Sequence, residues 1–229
     1  MKSRLRMFLF KLLTFFFNRE KLIFLLANEQ ERTLLGFQHS GYLQQTGWVN
    51  SIITGTITDA ENKPLPWVTY PFIAFMQNRL NNTLNLFEFG SGNSTYWYAD
   101  KVKTVTSIEH DVEWYETIKV NLPQNADLHF CYLQYNGAYS QYLLHTQMRF
   151  DVIIVDGRDR VNCCKNSIGA LTSAGVLVLD DSERDDYAEA RAYLQNAGFK
   201  NLDFWGMAPL VNYLKCTTIF YKTNNCLNI

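Results

Sequence analysis

Features that define several classes of protein are scarce in this 229-residue chain. It lacks an excess of basic charge, with 21 basic and 22 acidic residues, so we expect no nucleic acid partner. It also lacks cysteine pairs, because its five cysteines form no CxxC motif and have no zinc-ligand spacing with histidine. Five cysteines in a chain of this length exclude a disulfide scaffold and indicate reduced, partly buried thiols, as is typical of the cytoplasm.

The sequence contains no uninterrupted apolar run long enough to cross a membrane. Residues 5–27 are rich in leucine and phenylalanine, but Lys11 and the charged residues 19–21 interrupt them, and no small-residue cleavage site follows. These interruptions exclude both a spanning helix and a secretory signal.

Residues 1–21 carry a net charge of +5 and place several basic side chains on one stripe of a helix, with leucine and phenylalanine over much of the remaining surface. We interpret residues 1–35 as an amphipathic helical extension. Such a helix contacts an anionic membrane surface, or it packs on the domain or on a second copy of the chain. We therefore expect a cytoplasmic protein, with residues 1–27 forming either a peripheral contact at the inner membrane surface or a homodimer interface.

The next segment, residues 36–71, is irregular and rich in aromatic residues. Its glycines and the sequence Pro64-Leu65-Pro66-Trp67 indicate loops and turns. We expect this segment to form a lid or one wall of a substrate site, or else a collar packed around the core.

Strand-like and helix-like segments alternate over residues 72–229, which indicates one α/β domain. Strands are predicted at 84–89, 104–109, 128–133, 150–156, 175–180, 199–204 and 217–221. Helices are predicted at 72–80, around 95–99, around 114–120, at 139–147 and over 187–197. The spacing of Cys164, Ile168 and Leu171 predicts a further helix, with Cys164 in the core. The alternation predicts a Rossmann-like, doubly wound and mostly parallel sheet with its ligand site at the carboxyl ends of the strands.

A glycine-rich turn follows the first predicted strand directly, in the sequence Glu88-Phe89-Gly90-Ser91-Gly92-Asn93-Ser94-Thr95. The two glycines let the backbone turn tightly and approach a ligand closely. Glu109 ends the second strand, where an acidic side chain can accept hydrogen bonds from both hydroxyls of a ribose. A dinucleotide fingerprint would have a third glycine in place of Thr95, and Glu88 would repel a pyrophosphate. The pattern therefore favours a cationic ligand that carries a ribose, such as one built on a sulfonium amino acid.

Through this turn the chain resembles the class I S-adenosylmethionine-dependent methyltransferases, over about residues 72–222. The resemblance implies a seven-stranded sheet with an antiparallel last strand and S-adenosylmethionine as cofactor. It assigns Glu109 to the ribose and His110 to the adenine, and it places Asp156 beside the cofactor. It also assigns residues to the loop around the methionine part, namely Glu88, Gly90, Ser91, Gly92 and Thr95.

Three carboxylates are expected at the far end of the same sheet edge. Asp156 ends the fourth predicted strand, and Asp180 and Asp181 end the fifth. The pattern resembles the magnesium-dependent O-methyltransferases, which implies that these residues bind Mg²⁺ and that the metal lowers the pKa of the acceptor hydroxyl.

Three arginines at the same edge, Arg158, Arg160 and Arg184, leave two alternatives open. They can neutralise the carboxylates as ion pairs without a metal, or they can bind a phosphate or carboxylate on the substrate. A third alternative gives the carboxylates an acid–base role, and the candidate bases are His110, Asp156 and Asp181.

Several motifs together resemble a group of bacterial methyltransferase-like proteins: SGYLQQTGW, PLPW, FEFGSGNST, IVDGRDRVNCC and LDDSER. We predict methyl transfer from S-adenosylmethionine to a small-molecule or glycan hydroxyl. The alternatives are a nucleotide-dependent oxidoreductase on a related Rossmann fold and a non-catalytic membrane-associated protein with a relic nucleotide pocket.

Overall fold

Seven strands form one mixed sheet in the computed structural model, which describes residues 27–229 together with Leu13, Ile23 and Leu26. The strands lie in the order β3-β2-β1-β4-β5-β7-β6, and β7 runs antiparallel to both of its neighbours while the other six are parallel. Their bounds are β1 Asn85–Phe89, β2 Thr104–Glu109, β3 Ala126–Phe130, β4 Phe150–Val155, β5 Leu171–Asp180, β6 Lys200–Gly206 and β7 Lys215–Tyr221. The predicted Rossmann-like sheet with an antiparallel last strand is confirmed.

Short helices connect and cover the strands. Within the described residues they are α1 Glu29–Gly36, α2 Tyr42–Gln45, α3 Trp48–Thr54, α4 Tyr70–Gln77, α5 Asn93–Ala99, α6 Val112–Lys119, α7 Ala138–Gln141, α8 Arg160–Ser167 and α9 Ala188–Asn196. Three 3₁₀ turns complete the set: Tyr142–Leu144, Ile168–Ala170 and Asp185–Tyr187. Local side chains start some of these helices. Asn28 and Glu31 form a capping box on α1, and Asp111 accepts a hydrogen bond from the Trp114 amide at the start of α6.

Two apolar clusters cover the two faces of the sheet, because neighbouring strand residues point to opposite sides. On β4, Val152 and Ile154 belong to one cluster, whereas Ile153 and Val155 belong to the other. Every residue of β4 except Asp151 is buried, as its run of β-branched residues predicts. Helices therefore pack on both faces and leave the carboxyl edge open for a ligand.

Several of the sequence-based boundaries were wrong, and three of them show why. The third strand ends at Phe130, not at residue 133, because this edge strand is half exposed and has no continuous apolar run that marks its ends. The helix predicted to extend to residue 147 is a single turn followed by the 3₁₀ turn Tyr142–Leu144. Leu171 begins β5 beside Phe150 and does not continue α8, although Cys164 is buried as expected.

The segment 36–71 contains the two helices α2 and α3 in addition to turns. The amphipathic extension predicted for residues 1–35 lies mostly outside the described residues. Its last part is described and forms α1. Within the described part of the chain, no helix has both the length and the apolar character needed to cross a membrane.

Candidate functional site

A cleft of about 850 Å³ opens at the carboxyl ends of β1, β2, β4 and β5. Its floor is the glycine turn after β1, and one end is formed by the acidic residues that follow β4 and β5. The segment 55–67 and the loop between β6 and β7 contribute the walls. The cleft therefore brings together both groups of residues that the sequence predicts for a functional site.

The glycine turn is shaped by a positive φ at both glycines, 98° at Gly90 and 155° at Gly92. The Gly90 amide donates to the Ile108 carbonyl at 2.9 Å, which fixes the turn against β2. A Cβ atom at Gly90 would lie 3.3 Å from the Gly157 Cα, so even a small side chain there would strain the backbone and press on the segment after β4. The turn thus has little freedom and presents its backbone to the cleft.

Glu88 lies beneath this turn as a buried carboxylate. Thr95 Oγ1 and Ser107 Oγ donate to it at 2.8 and 3.0 Å, and the Thr95 hydroxyl also accepts from the Gly92 amide at 3.1 Å. Burial raises the pKa of Glu88 to about 7, although these donors oppose the shift. Near neutral pH, a cationic ligand that binds close to Glu88 would therefore favour loss of its proton and leave a negatively charged carboxylate.

Glu109 is held by four donors at the end of β2. Its Oε2 accepts from the Ser91 amide and hydroxyl at 3.0 and 2.9 Å, and its Oε1 accepts from the amides of His110 and Asp111 at 2.7 and 3.0 Å. His110 Nδ1 lies 2.9 Å from Oε1 without forming a hydrogen bond to it. A carboxylate offers about four acceptor sites, so a ribose hydroxyl can bind here only if the Ser91 hydroxyl rotates away.

Asp156, Asp180 and Asp181 converge because β4 and β5 are neighbours. Lys215 Nζ lies 2.7 Å from both Asp180 Oδ2 and Asp181 Oδ1. Arg184 pairs with Asp181 Oδ2 at 2.8 Å. Asp180 and Asp181 are therefore both buried and both form ion pairs with cationic side chains.

Asp156 is the most accessible carboxylate of the three, with 21% of its side chain exposed against 1% for Asp180 and 8% for Asp181. Burial raises the pKa of Asp156 well above its usual value and the charge of Asp180 adds to this, in opposition to Arg160. For Asp181, burial also raises the pKa, but the charges of Lys215, Arg160 and Arg184 outweigh it and hold that pKa below its usual value. Asp156 is thus the better proton acceptor.

The three arginines of this edge differ in role. Arg160 is buried and all of its donors are engaged. Its Nε donates to the Gly157 carbonyl, its Nη1 to the Asp180 carbonyl and the Asp181 carboxylate, and its Nη2 to the carbonyl and carboxylate of Asp156. Arg184 is half exposed and Arg158 is exposed, and Arg158 forms no ion pair with any residue in the described part of the chain. Arg160 therefore fixes the acidic end, Arg158 remains available at the cleft, and Arg184 reaches the cleft while it is paired with Asp181.

The carboxylates do not fit a divalent metal. Both oxygens of Asp181 face cationic side chains, and those of Asp180 face Lys215 and the Thr217 hydroxyl, which donates at 2.7 Å. No group of three or more potential metal ligands is assembled among the residues described. A hard cation would have to displace a buried lysine, so the arrangement is the ion-paired alternative of the sequence analysis, extended by Lys215.

The aromatic segment before the domain is tied to the wall of the cleft. Trp48 and Trp67 donate their indole N–H groups to the carbonyls of Val211 and Pro209, at 2.9 and 2.8 Å. Trp67 is half exposed in the cleft, and Tyr213 faces it from the loop between β6 and β7. The segment is therefore a wall of the cleft as well as a packed part of the core.

Sequence reasoning missed Lys215 and the loop at 207–214. Lys215 lies far from the aspartates along the chain, and none of the motifs singled out in the sequence includes it. An antiparallel last strand, however, places the beginning of β7 next to the end of β5, where Thr217 pairs with Asp180. A charged residue at the start of an otherwise buried strand was the available signal.

No family model and no curated protein matches the sequence. Solved structures do match. The precorrin-6y C5,15-methyltransferase from Geobacter metallireducens has a TM-score of 0.52 at 15% identity, over 67% of this chain and 87% of that chain. The precorrin 8w decarboxylase from Methanobacterium thermoautotrophicum has a TM-score of 0.51 at 15% identity, over 74% and 97%.

A candidate caffeoyl-CoA O-methyltransferase from Staphylococcus aureus has a TM-score of 0.52 at 14% identity, over 85% of this chain and all of that chain. At such identities the similarity shows the fold. The chain has the Rossmann-like fold of the class I S-adenosylmethionine-dependent methyltransferases, as its glycine turn and strand order indicate.

Proposed function

We propose that this protein transfers a methyl group from S-adenosylmethionine to a hydroxyl of a small-molecule or glycan acceptor. The observation that carries the proposal is the position of the glycine turn, Glu109 and the accessible Asp156 in one cleft. The fold similarity to methyltransferases supports the same class of reaction. S-adenosylmethionine supplies an electrophilic methyl group on a positively charged sulfur.

The residues around the glycine turn fit this cofactor. The Gly90–Gly92 backbone surrounds the methionine part, and the buried Glu88 favours a nearby positive charge. Glu109 would hold the ribose once the Ser91 hydroxyl has rotated away, and His110 would flank the adenine. Thr95 acts through the turn, because its hydroxyl links Glu88 to the Gly92 amide.

Asp156 is the proposed base, in preference to Asp181 and His110. Its side chain is partly exposed to the cleft, whereas both oxygens of Asp181 are engaged by cations. In such a transfer, the acceptor oxygen would form a bond to the methyl carbon while the carbon–sulfur bond breaks with its electron pair on sulfur, and Asp156 would receive the hydroxyl proton. Most of the remaining rate acceleration comes from alignment of the two ligands.

Arg158 and Arg184 extend the proposal to the acceptor. Both line the cleft and neither is buried, while Trp67 and Tyr213 offer exposed aromatic surface in the same cleft. An acceptor with an apolar body and a carboxylate or phosphate group would match this surface. Arg160, the third arginine considered for substrate binding, is assigned to the site's internal ion pairs.

Calorimetry with S-adenosylmethionine, its demethylated product and NAD tests the proposal. We expect binding of the first two and none of NAD. Gly90→Val and Glu109→Ala are expected to weaken S-adenosylmethionine binding about tenfold or more, a loss of about 1.4 kcal/mol. Gly169→Val and Glu116→Ala are matched controls, because a side chain at Gly169 would contact nothing and Glu116 is exposed outside the cleft.

Each other outcome identifies a rival function. Tight binding of NAD in place of S-adenosylmethionine would indicate the oxidoreductase. Binding of none of the three ligands would indicate the non-catalytic protein with a relic pocket. Equal affinity in wild type, Gly90→Val and Glu109→Ala would refute the assignment of the binding residues.

A further inference from the structure

A buried lysine lies among the carboxylates where a metal-dependent enzyme would hold its cation. Lys215 is 4% exposed and its Nζ bridges Asp180 and Asp181 at 2.7 Å each. Arg160, 6% exposed, contacts Asp156 at 3.1 Å and Asp181 at 3.3 Å. With Arg184, three cationic groups face three carboxylates, so the two kinds of group match in number without any added ion.

The backbone builds this arrangement in two ways. Lys215 lies two residues before Thr217, so the two side chains share one face of β7, and both contact Asp180 beside the end of β5. Asp181 has a positive φ of 52°, a left-handed conformation that aspartate adopts more readily than most other residues. In this conformation its carboxylate is held in place by three cations.

We propose that Lys215, together with Arg160, takes the place of a divalent metal in this site. Their charges neutralise Asp180 and Asp181 and fix their positions, and they leave Asp156 as the accessible carboxylate. Lys215 is thus a positioning residue, and the protein does not depend on a divalent cation for the stability of this cluster. The link to methyl transfer rests on the proposed function, whereas the charge arrangement can be tested without it.

The prediction concerns what happens when the lysine charge is removed. Lys215→Met keeps the length of the side chain but leaves Asp180 and Asp181 with an unmatched negative charge. Because carboxylate oxygens are the preferred ligands of hard divalent cations, this variant is expected to acquire a site for Mg²⁺ or Mn²⁺. At a concentration near 100 times the Kd, the cation should raise its Tm by about 3 °C or more.

Thermal unfolding with MgCl₂, MnCl₂ or EDTA, and calorimetry with MnCl₂, are the measurements. Wild type is expected to respond to none of them, and Lys215→Arg, which keeps the charge, should also fail to respond. Lys165→Met is the matched control, because Lys165 forms an equally short ion pair with Glu189 at 2.6 Å on the surface. It removes the same charge without freeing a buried carboxylate pair.

If Lys215→Met fails to fold, the double variant Lys215→Met/Asp181→Asn can be used, because it removes one charge of each sign. We expect this variant to fold without a metal and its Tm not to change with divalent cations or EDTA. Micromolar binding of Mn²⁺ by wild type, or a fall in its Tm with EDTA, would overturn the proposal. Absence of any metal response in a folded Lys215→Met would overturn it as well. Loss of the methyltransferase proposal would show separately, as failure to bind S-adenosylmethionine in the same preparation.

Discussion

At the scale of single residues, Glu88 has the environment with the clearest consequence. It is an acid whose pKa rises from 4.5 to about 7 on folding, because burial disfavours the charged form. Between these two values the folded protein binds more protons than the unfolded chain does. The free energy of unfolding contributed by this residue therefore falls as the pH rises from about 4.5 to above 7, by up to about 3 kcal/mol.

Urea unfolding from pH 5 to 8 measures this effect. Glu88→Gln removes the titrating group and keeps an acceptor for Thr95 and Ser107, so its stability should lose that part of the pH dependence. Glu116→Gln, at an exposed position on α6, should follow wild type at every pH. Parallel curves for wild type and Glu88→Gln would contradict the raised pKa.

Residues within one local motif were predictable, and residues assembled from distant segments were not. Glu88 and Glu109 lie at the ends of two strands, and Gly90 and Gly92 follow the first of these strands, which the sequence marks with apolar runs. The partner of Asp180 depends on which strand pairs with β5, and that pairing follows from the whole sheet. This is why the sequence indicated an acidic cluster and could not decide whether metal or side chains neutralise it.

At the scale of elements, the wall of the cleft depends on two tryptophans that bridge separate segments. Trp67→Phe keeps an aromatic side chain, although a smaller one, and removes the hydrogen bond to the Pro209 carbonyl, which contributes about 0.5–1.5 kcal/mol. The loop over 207–214 should then open more often, so its protected amides should exchange about two- to tenfold faster. Hydrogen exchange measured by mass spectrometry checks this.

The control for this experiment is Trp205→Phe, because Trp205 is half exposed on β6 and lies outside the cleft. Trp48→Phe should act like Trp67→Phe, since its indole holds the Val211 carbonyl in the same loop. Unchanged exchange over 207–214 in both variants would mean that packing alone holds the wall. In that case the segment would serve as the collar considered in the sequence analysis.

Elements were predicted well where burial is uniform and poorly where it is not. Strands β1, β2 and β4 begin and end within one residue of their predicted positions, because both faces of each are covered. The early start of β5 was missed because residues 171–174 are only partly buried or exposed and include a break in the pairing with β4. Apolar periodicity therefore predicts strands in the buried interior of the sheet and misses strand ends that are partly exposed.

At the scale of the whole molecule, the net charge of −1 is an average over unlike parts. Residues 1–21 carry +5 and the remaining residues carry −6. The cleft lies in the acidic part, and the basic part lies outside the described residues apart from Leu13. The positive charge of residues 1–21 gives a way to test the role of the extension. A contact with an anionic membrane requires this charge, whereas a contact with protein does not.

We therefore expect the full chain to sediment with vesicles that contain anionic lipid and to remain in solution with vesicles of neutral lipid. Each basic residue near an anionic surface contributes about 1 kcal/mol, so Arg4→Glu/Lys11→Glu should reduce the bound fraction strongly, and higher salt should do the same. Lys200→Glu/Lys222→Glu makes an equal change in net charge elsewhere and should bind nearly as well as wild type. If both pairs of variants bind alike, or if the full chain ignores the lipid charge, the extension does not bind membranes through its basic residues. A dimer in light scattering under those conditions would then support the alternative, in which residues 1–27 form a contact between two copies of the chain.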